Sequence, residues 1–285
     1  MDVDTPDAGA VPLGGEPGGW LVACAALAAS LAVLWTIARR RRLGMPAVEP
    51  RPHPQAGWTG ADVAAAVITF FGLQVLAVGG LPADASMHAR LAAGSLSMLA
   101  ATGVTLATLL SRGASWATLR LPAGHVASDL RLAVAALCLL VAPLLGMAAV
   151  LDRLEPYRHV IVDFLATHRD PLSIGLVCFA AVVAAPIAEE ILFRGLLQGW
   201  LEMRLEGLAP GRAGGLAIAI SSAAFALAHV GQGLAWLPLF FFGWVAGYLA
   251  LQTGSLLPGI ILHALFNGVS VAMLLLQSAP AGAAG

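Results

Sequence analysis

The chain of 285 residues is too apolar and too poor in charge to be a soluble globular domain. Its sequence is 59% hydrophobic and 11% charged, whereas a soluble domain carries about 25% charged residues. The net charge of −1 gives no sign of a nucleic-acid partner. The composition therefore predicts a protein whose solvent is the lipid bilayer.

The N-terminal part predicts a disordered tail followed by a retained membrane anchor. Residues 1–19 are rich in Gly, Pro and Asp and contain no basic residue. The first apolar run is followed by Arg39–Arg42, whereas a secretory signal peptide carries its positive charges before the apolar run. Residues 20–42 are therefore predicted to be a first transmembrane anchor, and the Pro-rich segment 43–60 is predicted to be a linker.

Apolar runs of about 20 residues, the length that crosses a bilayer, predict an all-α polytopic bundle of about eight transmembrane helices. After the anchor the runs lie near 61–80, 90–110, 131–150, 172–200, 214–231, 236–252 and 257–277. Residues 61–277 are predicted to form one bundle, with a short surface helix within 151–170 and a disordered tail over 278–285.

The distribution of Arg predicts the orientation. Cytoplasmic loops of membrane proteins carry an excess of basic residues. With the acidic N-terminal tail outside, Arg90, Arg153, Arg158 and Arg169 also face out. The cytoplasmic side then receives Arg39–Arg42, Arg51, Arg112, Arg120, Arg131, Arg204 and Arg212. We therefore expect both termini outside the cytoplasm, in a plasma membrane of the bacterial inner-membrane type.

The fifth apolar run contains the ionisable residues Glu189, Glu190 and Arg194. One such charge at the centre of a bilayer costs about 2.5–3.5 kcal/mol even on lenient scales. Glu190 and Arg194 are spaced i, i+4, so a helix predicts a structural ion pair between them. Glu189 points elsewhere and is free for chemistry. Pro186 removes an intrahelical hydrogen bond, which should kink the helix and leave a backbone carbonyl available.

Two later runs carry polar residues at the same spacing. The sixth contains Phe225-x-x-x-His229, and the eighth contains His263-x-x-x-Asn267. His263 and Asn267 therefore lie on one face of one helix. Polar groups on three apolar helices need a shared polar cavity, because lipid cannot satisfy them. The small pair Gly243-x-x-x-Gly247 predicts only close helix packing.

In this order, Glu189-Glu190-x-x-x-Arg194, Phe225-x-x-x-His229 and His263-x-x-x-Asn267 resemble the CAAX protease and bacteriocin-processing family of intramembrane endopeptidases. The resemblance covers residues 172–270, and the catalytic motifs fall within 186–270. It implies that Glu189 and His229 activate water for attack on a peptide carbonyl, and that His263 and Asn267 stabilise the oxyanion. Glu190, Arg194 and Phe225 would support them. Fixed donors act strongly in a dry site, which agrees with this chemistry.

The residues leave a metal-dependent alternative open. Glu189, His229 and His263 match a catalytic zinc site in ligand type, but the sequence has no H-E-x-x-H helix. We therefore favour a metal-free hydrolase, with Zn as the alternative cofactor.

Two non-enzymatic alternatives also remain. A transporter buries charges along its pathway, and a membrane scaffold would keep the motifs as a polar core. The partners predicted are a peptide or protein substrate at the membrane and the lipid bilayer, without nucleic acid. The sequence predicts no oligomeric state.

Overall fold

The computed structural model describes residues 17–277 except Ala123 and Arg158. Within these residues the chain forms nine helices and no strand. The helices are α1 Pro17–Arg42, α2 Gly60–Gly79, α3 Met87–Ser111, α4 Val126–Leu151, α5 Val160–Thr167, α6 Pro171–Glu206, α7 Ala213–Leu227, α8 Trp236–Thr253 and α9 Leu257–Gln277. The predicted all-α class is confirmed.

Seven of these helices are long and apolar enough to cross a membrane. The other two are α5, with 8 residues, and α7, with 15 residues. At 1.5 Å per residue α7 spans about 22 Å, less than the hydrocarbon core of a typical bilayer. The predicted sixth crossing is thus the short member of the bundle, and a helix does occur in the predicted surface segment 151–170. The orientation of the termini stays a prediction.

Helix α6 passes through the centre of the bundle and is not uniformly α-helical. It begins at an N-cap, Asp170, whose carboxylate accepts the N–H groups of Leu172 and Ser173, and Pro171 occupies the first turn, where no N–H is needed. The segments Phe179–Ala184 and Glu190–Leu197 have the wider π-helical turn. Such segments are uncommon and often mark functional sites.

The first helix, α1, packs mainly against one other helix, α4. Ser30 Oγ donates to the carbonyl of Cys138 at 2.5 Å. Most of the α1 surface is exposed in the protein, as expected for a helix that contacts lipid. This arrangement fits a separate anchor.

The segment between α1 and α2 is packed onto the bundle by its polar side chains. Arg51 pairs with buried Asp129 of α4 at 2.6 Å. Trp58 is buried, and its indole N–H donates to the carbonyl of Leu196 in α6 at 2.9 Å. The predicted linker is therefore packed against α4 and α6, and it connects the anchor to the core.

The main core is an apolar cluster shared by α2, α3, α4 and α6–α9, and a smaller cluster joins α5, α6 and α9. Helix α7 packs between α8 and the end of α6, while α9 crosses α4 and α6. This packing surrounds the charged part of α6 with other helices. Of the remaining predicted segments, residues 1–16 and 278–285 of the two tails lie outside the described residues.

Candidate active site

Four of the motif residues lie along the contact between α6 and α9, which run antiparallel: Glu189, Glu190, His263 and Asn267. Asn267 of α9 contacts the carbonyl of Ala181 in α6, and His263 contacts the two glutamates. One turn further along α9, the backbone at Gly259 lies against the Glu190 carboxylate. We call this contact, from Ala181 to Glu190 on α6 and from Gly259 to Asn267 on α9, the polar seam.

Glu190 and Arg194 form the ion pair that their spacing predicts. Arg194 Nη1 donates to Glu190 Oε1 at 2.9 Å, and both side chains are 0% exposed. The pair does not satisfy all of its atoms, because Glu190 Oε2 and Arg194 Nε and Nη2 have no hydrogen-bond partner. A buried pair of this kind is costly to break, since either partner alone would be an uncompensated charge.

His263 lies between the two glutamates. Its Nε2 is 3.8 Å from Glu189 Oε2, and its Nδ1 is 3.4 Å from Glu190 Oε1. Nδ1 is buried without a hydrogen-bond partner of good geometry, and the Nε2 contact is also longer than a hydrogen bond. Glu189 is 15% exposed where Glu190 is 0%. Glu189 is therefore the carboxylate that a ligand or water can reach.

Three glycines let the neighbouring helices approach the charged face of α6. A Cβ at Gly259 would lie 2.8 Å from Glu190 Oε2. In α8, a Cβ at Gly243 would lie 2.9 Å from Arg194 Nη2, and one at Gly247 would lie 2.7 Å from Gln198 Oε1. The predicted packing role of Gly243 and Gly247 is thus directed at the polar side chains of α6.

The aromatic side chain of Phe225 organises the other motif residues. The Arg194 guanidinium carbon lies 4.3 Å from the centre of its ring, in cation–π contact. The ring centres of His229 and His263 lie 4.8 and 5.9 Å from it. Phe242 of α8 packs against His263 as well. Phe225 is 0% exposed, so its buried ring gives both imidazoles an apolar contact.

His229 lies just beyond α7 and not inside it, which corrects the predicted helix over 214–231. The helix ends at Leu227, because Gly231 and Gly233 follow with positive φ values of 104° and 64°, which favour glycine. His229 Nδ1 is 2.8 Å from the carbonyl of Phe225. Since a carbonyl can only accept, Nδ1 carries the hydrogen and Nε2 is left as the basic nitrogen.

The sequence gives no sign that His159 is a neighbour of His229. His159 caps α5 by accepting the N–H of Ile161 at Nδ1. Burial lowers the pKa of His159 from its ordinary 6.5, and the proximity of His229 lowers it further. The segment before α5 therefore reaches the end of α7, and no residue spacing could have indicated that contact.

Asn267 lies on the same face of α9 as His263, as predicted. Its side-chain Nδ2 donates to the carbonyl of Ala181 at 2.7 Å. The carbonyl oxygen of Ala181, five residues before Pro186, therefore accepts a hydrogen bond from Asn267. One of the two amide hydrogens is used in this bond, and the other is available for a ligand.

The described residues contain no group of three or more His, Cys, Asp or Glu side chains placed to hold a metal ion. Glu189 and His263 approach each other, while His229 lies against Phe225. These contacts bring Glu189 to His263 but do not bring His229 to either of them, so they do not assemble the three ligands of the zinc alternative.

Comparison with known proteins agrees with the motifs. No curated protein and no solved structure matches the chain significantly. A family model described as type II CAAX prenyl endopeptidase Rce1-like matches residues 171–269, the segment from the start of α6 into α9. The predicted resemblance is confirmed: through residues 171–269 this integral membrane chain matches the CAAX protease and bacteriocin-processing family of intramembrane proteases.

Proposed function

We propose that the chain is an intramembrane endopeptidase that cleaves a peptide bond near the end of a membrane-associated substrate. Glu189 and His229 activate water, while His263 and Asn267 stabilise the oxyanion. The observation that carries the proposal is the pairing of Glu189 with His263 Nε2 across 3.8 Å, beside a buried ion pair. Polar groups separated by more than about 3.5 Å are commonly bridged by water.

Hydrolysis needs a base and a donor within reach of one carbonyl group. In the proposed reaction a water on Glu189 attacks the carbonyl carbon, and its proton goes to the carboxylate. The tetrahedral intermediate then collapses with cleavage of the C–N bond, and Glu189 returns the proton to the leaving amine. The carbonyl oxygen, which becomes negative, lies on the side of His263 Nε2. Removing a single oxyanion donor in proteases costs about 10²–10³-fold in kcat, which sets the scale for His263.

His229 and Asn267 complete the assignment. The carbonyl of Phe225 holds the hydrogen of His229 on Nδ1, so Nε2 can accept a hydrogen bond from the attacking water while Glu189 takes the proton. The second amide hydrogen of Asn267 can be donated to the oxyanion, because only the first is required by Ala181. Both roles use atoms that make no hydrogen bond within the described part of the chain: Nε2 of His229 and the second amide hydrogen of Asn267.

The substrate class follows from the setting and from the family. Glu189 and His263 lie within apolar helices of membrane-spanning length, so the scissile bond must reach the hydrocarbon region. A prenyl group on the substrate would hold a C-terminal peptide there. We propose a lipid-modified or membrane-anchored C-terminal tail as the substrate.

The test is a cleavage assay with purified protein in lipid nanodiscs. The probe is a farnesylated CAAX peptide carrying a fluorophore and a quencher, with its unprenylated form alongside. We expect Glu189→Gln to lower kcat/KM by about 10²–10⁴-fold, the usual contribution of a general base.

The matched control is Glu206→Gln, the same substitution at the exposed end of α6, which should leave the rate unchanged. Equal, measurable rates for the wild-type protein and Glu189→Gln would reject Glu189 as the base. Cleavage by the wild-type protein no faster than in empty nanodiscs would reject the enzyme and favour a transporter or scaffold. Cleavage of the unprenylated peptide alone would reject the lipid-modified substrate.

A further inference from the structure

The backbone of α6 loses a hydrogen bond at a defined place. Proline has no N–H, and Pro186 is the second residue after the π-helical segment Phe179–Ala184. At the end of that segment the N–H of Ala185 bonds to the carbonyl of Ala180, five residues earlier. In the same register a residue at 186 with an N–H would bond to the carbonyl of Ala181. Pro186 therefore leaves Ala181 without its backbone donor.

The missing donor comes from another helix. Asn267 Nδ2 lies 2.7 Å from the carbonyl oxygen of Ala181, with hydrogen-bond geometry. Asn267 is also the only asparagine among the 285 residues. Within a membrane an unsatisfied carbonyl cannot turn to water, so a side chain from a neighbouring helix is the usual remedy at a proline.

The bond lies about one turn from His263 on α9 and about two turns from Glu189 on α6. Glu189 follows Pro186 by three residues in α6, and His263 precedes Asn267 by one turn in α9. Because α6 is weakened at Pro186, its two parts are held against α9 separately: the amide holds the part before Pro186 at Ala181, and the contacts of Glu190 with α9 hold the part after it, which carries Glu189. A shift there would change the 3.8 Å separation of Glu189 and His263.

We infer that Asn267 is a positioning residue: its amide replaces the hydrogen bond that Pro186 removes, and so fixes Glu189 of α6 opposite His263 of α9. Only the catalytic consequence rests on the proposed function. The bond itself is a property of the folded protein and can be tested without a substrate.

The first test observes the amide directly. Protein labelled with ¹⁵N at the asparagine side chain gives one NH₂ signal, since the sequence has one asparagine. We expect one of the two hydrogens to exchange with water at least tenfold more slowly than the other. In Pro186→Ala the new backbone N–H competes for Ala181, and this protection should fall. Equal exchange of both hydrogens in the wild-type protein would overturn the inference.

The second test is a double-mutant cycle on thermal unfolding in detergent. Asn267→Ala should lower the unfolding midpoint, and adding Pro186→Ala should recover at least half of that loss, because a backbone donor returns. If the shifts of the two single variants simply add, the inference fails. Ser270→Ala, one turn away in α9 with a bond only to Phe266 of its own helix, is the control and should shift little with or without Pro186→Ala.

The catalytic consequence has its own readout with the farnesylated peptide. Asn267→Ala should lower kcat with little change in KM, and Pro186→Ala should restore part of kcat in the double variant. No recovery of kcat despite a recovered unfolding midpoint would contradict positioning and leave the oxyanion role alone. If the wild-type protein cleaves nothing while the amide is protected, the proposed function fails and the hydrogen bond stands.

Discussion

Two clusters of polar side chains form where α6 meets another helix, one at the start of α6 and one in its middle. In each cluster a carboxylate of α6 lies near a histidine of the other helix. At the start, His88 Nε2 lies 2.8 Å from Ser173 Oγ, and Ser173 donates to Asp170 at 2.5 Å. In the middle, the polar seam brings His263 close to Glu189 and Glu190. The residue types alone would make the first cluster look like a serine protease.

The two clusters differ in how completely their polar atoms are hydrogen-bonded. Ser173 gives its only hydrogen to Asp170, so His88 must donate to Ser173 and cannot act as its base. Asp170 in turn accepts the N–H groups of the first turn of α6. In the polar seam, by contrast, Glu190 Oε2 and His263 Nδ1 are buried and have no hydrogen-bond partner among the described residues. Saturated polar groups stabilise a helix end, whereas unsatisfied ones in a dry site are available for a reacting group.

The largest effect on folding should come from breaking the buried ion pair of Glu190 and Arg194. Arg194→Met leaves Glu190 as a buried, uncompensated charge, which costs about 3–5 kcal/mol. We expect a large drop in the thermal unfolding midpoint in detergent. Glu190→Gln added to Arg194→Met should return part of the loss. An unchanged midpoint for Arg194→Met would show that the pair is not dry.

Next in size is a shift of the polar seam without any change of charge. A Cβ at Gly259 would lie 2.8 Å from Glu190 Oε2, whereas one at Gly268 in the same helix meets nothing within 4 Å. Gly259→Ala should lower kcat/KM by about 10²-fold, the effect of a misplacement of about 1 Å. Gly268→Ala is the matched control and should cleave the peptide normally. Similar rates for the two variants would contradict the close contact at Glu190.

A smaller effect is expected at the saturated cluster. Asp170→Ala removes the N-cap of α6 and should lower the unfolding midpoint by less than Arg194→Met does, with cleavage retained. The hydrogen bonds from Ser173 hold the pKa of Asp170 below its ordinary 3.8. The stabilisation is therefore complete above pH 3.8 and is lost as the pH falls through the lower folded pKa.

Melting curves of the two proteins over this pH range check that sign. The difference between the wild-type protein and Asp170→Ala should shrink as the medium becomes more acidic. A loss of peptide cleavage in Asp170→Ala at neutral pH would instead place this cluster in the reaction.

The smallest expected effect is that of a chelator. Because the proposed chemistry uses Glu189 with His229, His263 and Asn267, EDTA or 1,10-phenanthroline should leave peptide cleavage unchanged. A loss of activity that added Zn²⁺ restores would move Glu189, His229 and His263 to the role of metal ligands.

Local spacing predicted the parts of the site that lie within one helix. The pairing of Glu190 with Arg194 and the common face of His263 and Asn267 both follow from the helical repeat. Hydropathy likewise predicted the long helices, since lipid imposes one composition on all of them.

Contacts between distant segments could not be predicted in this way. The bond from Asn267 to Ala181 joins residues 86 positions apart, and the approach of His159 to His229 depends on the path of a loop. The end of α7 before His229 was missed because hydropathy continues to Val230, while the backbone turns at two glycines. Tertiary packing decides all three.

The glycines beside α6 have a consequence for how such a sequence can change over time. Gly243, Gly247 and Gly259 each face a charged or amide group of another helix, so a side chain gained at any of them must be answered by a change across the contact. Single replacements should be eliminated and paired ones tolerated. Related sequences are therefore expected to exchange these positions together with their partners on α6, while lipid-facing residues drift independently.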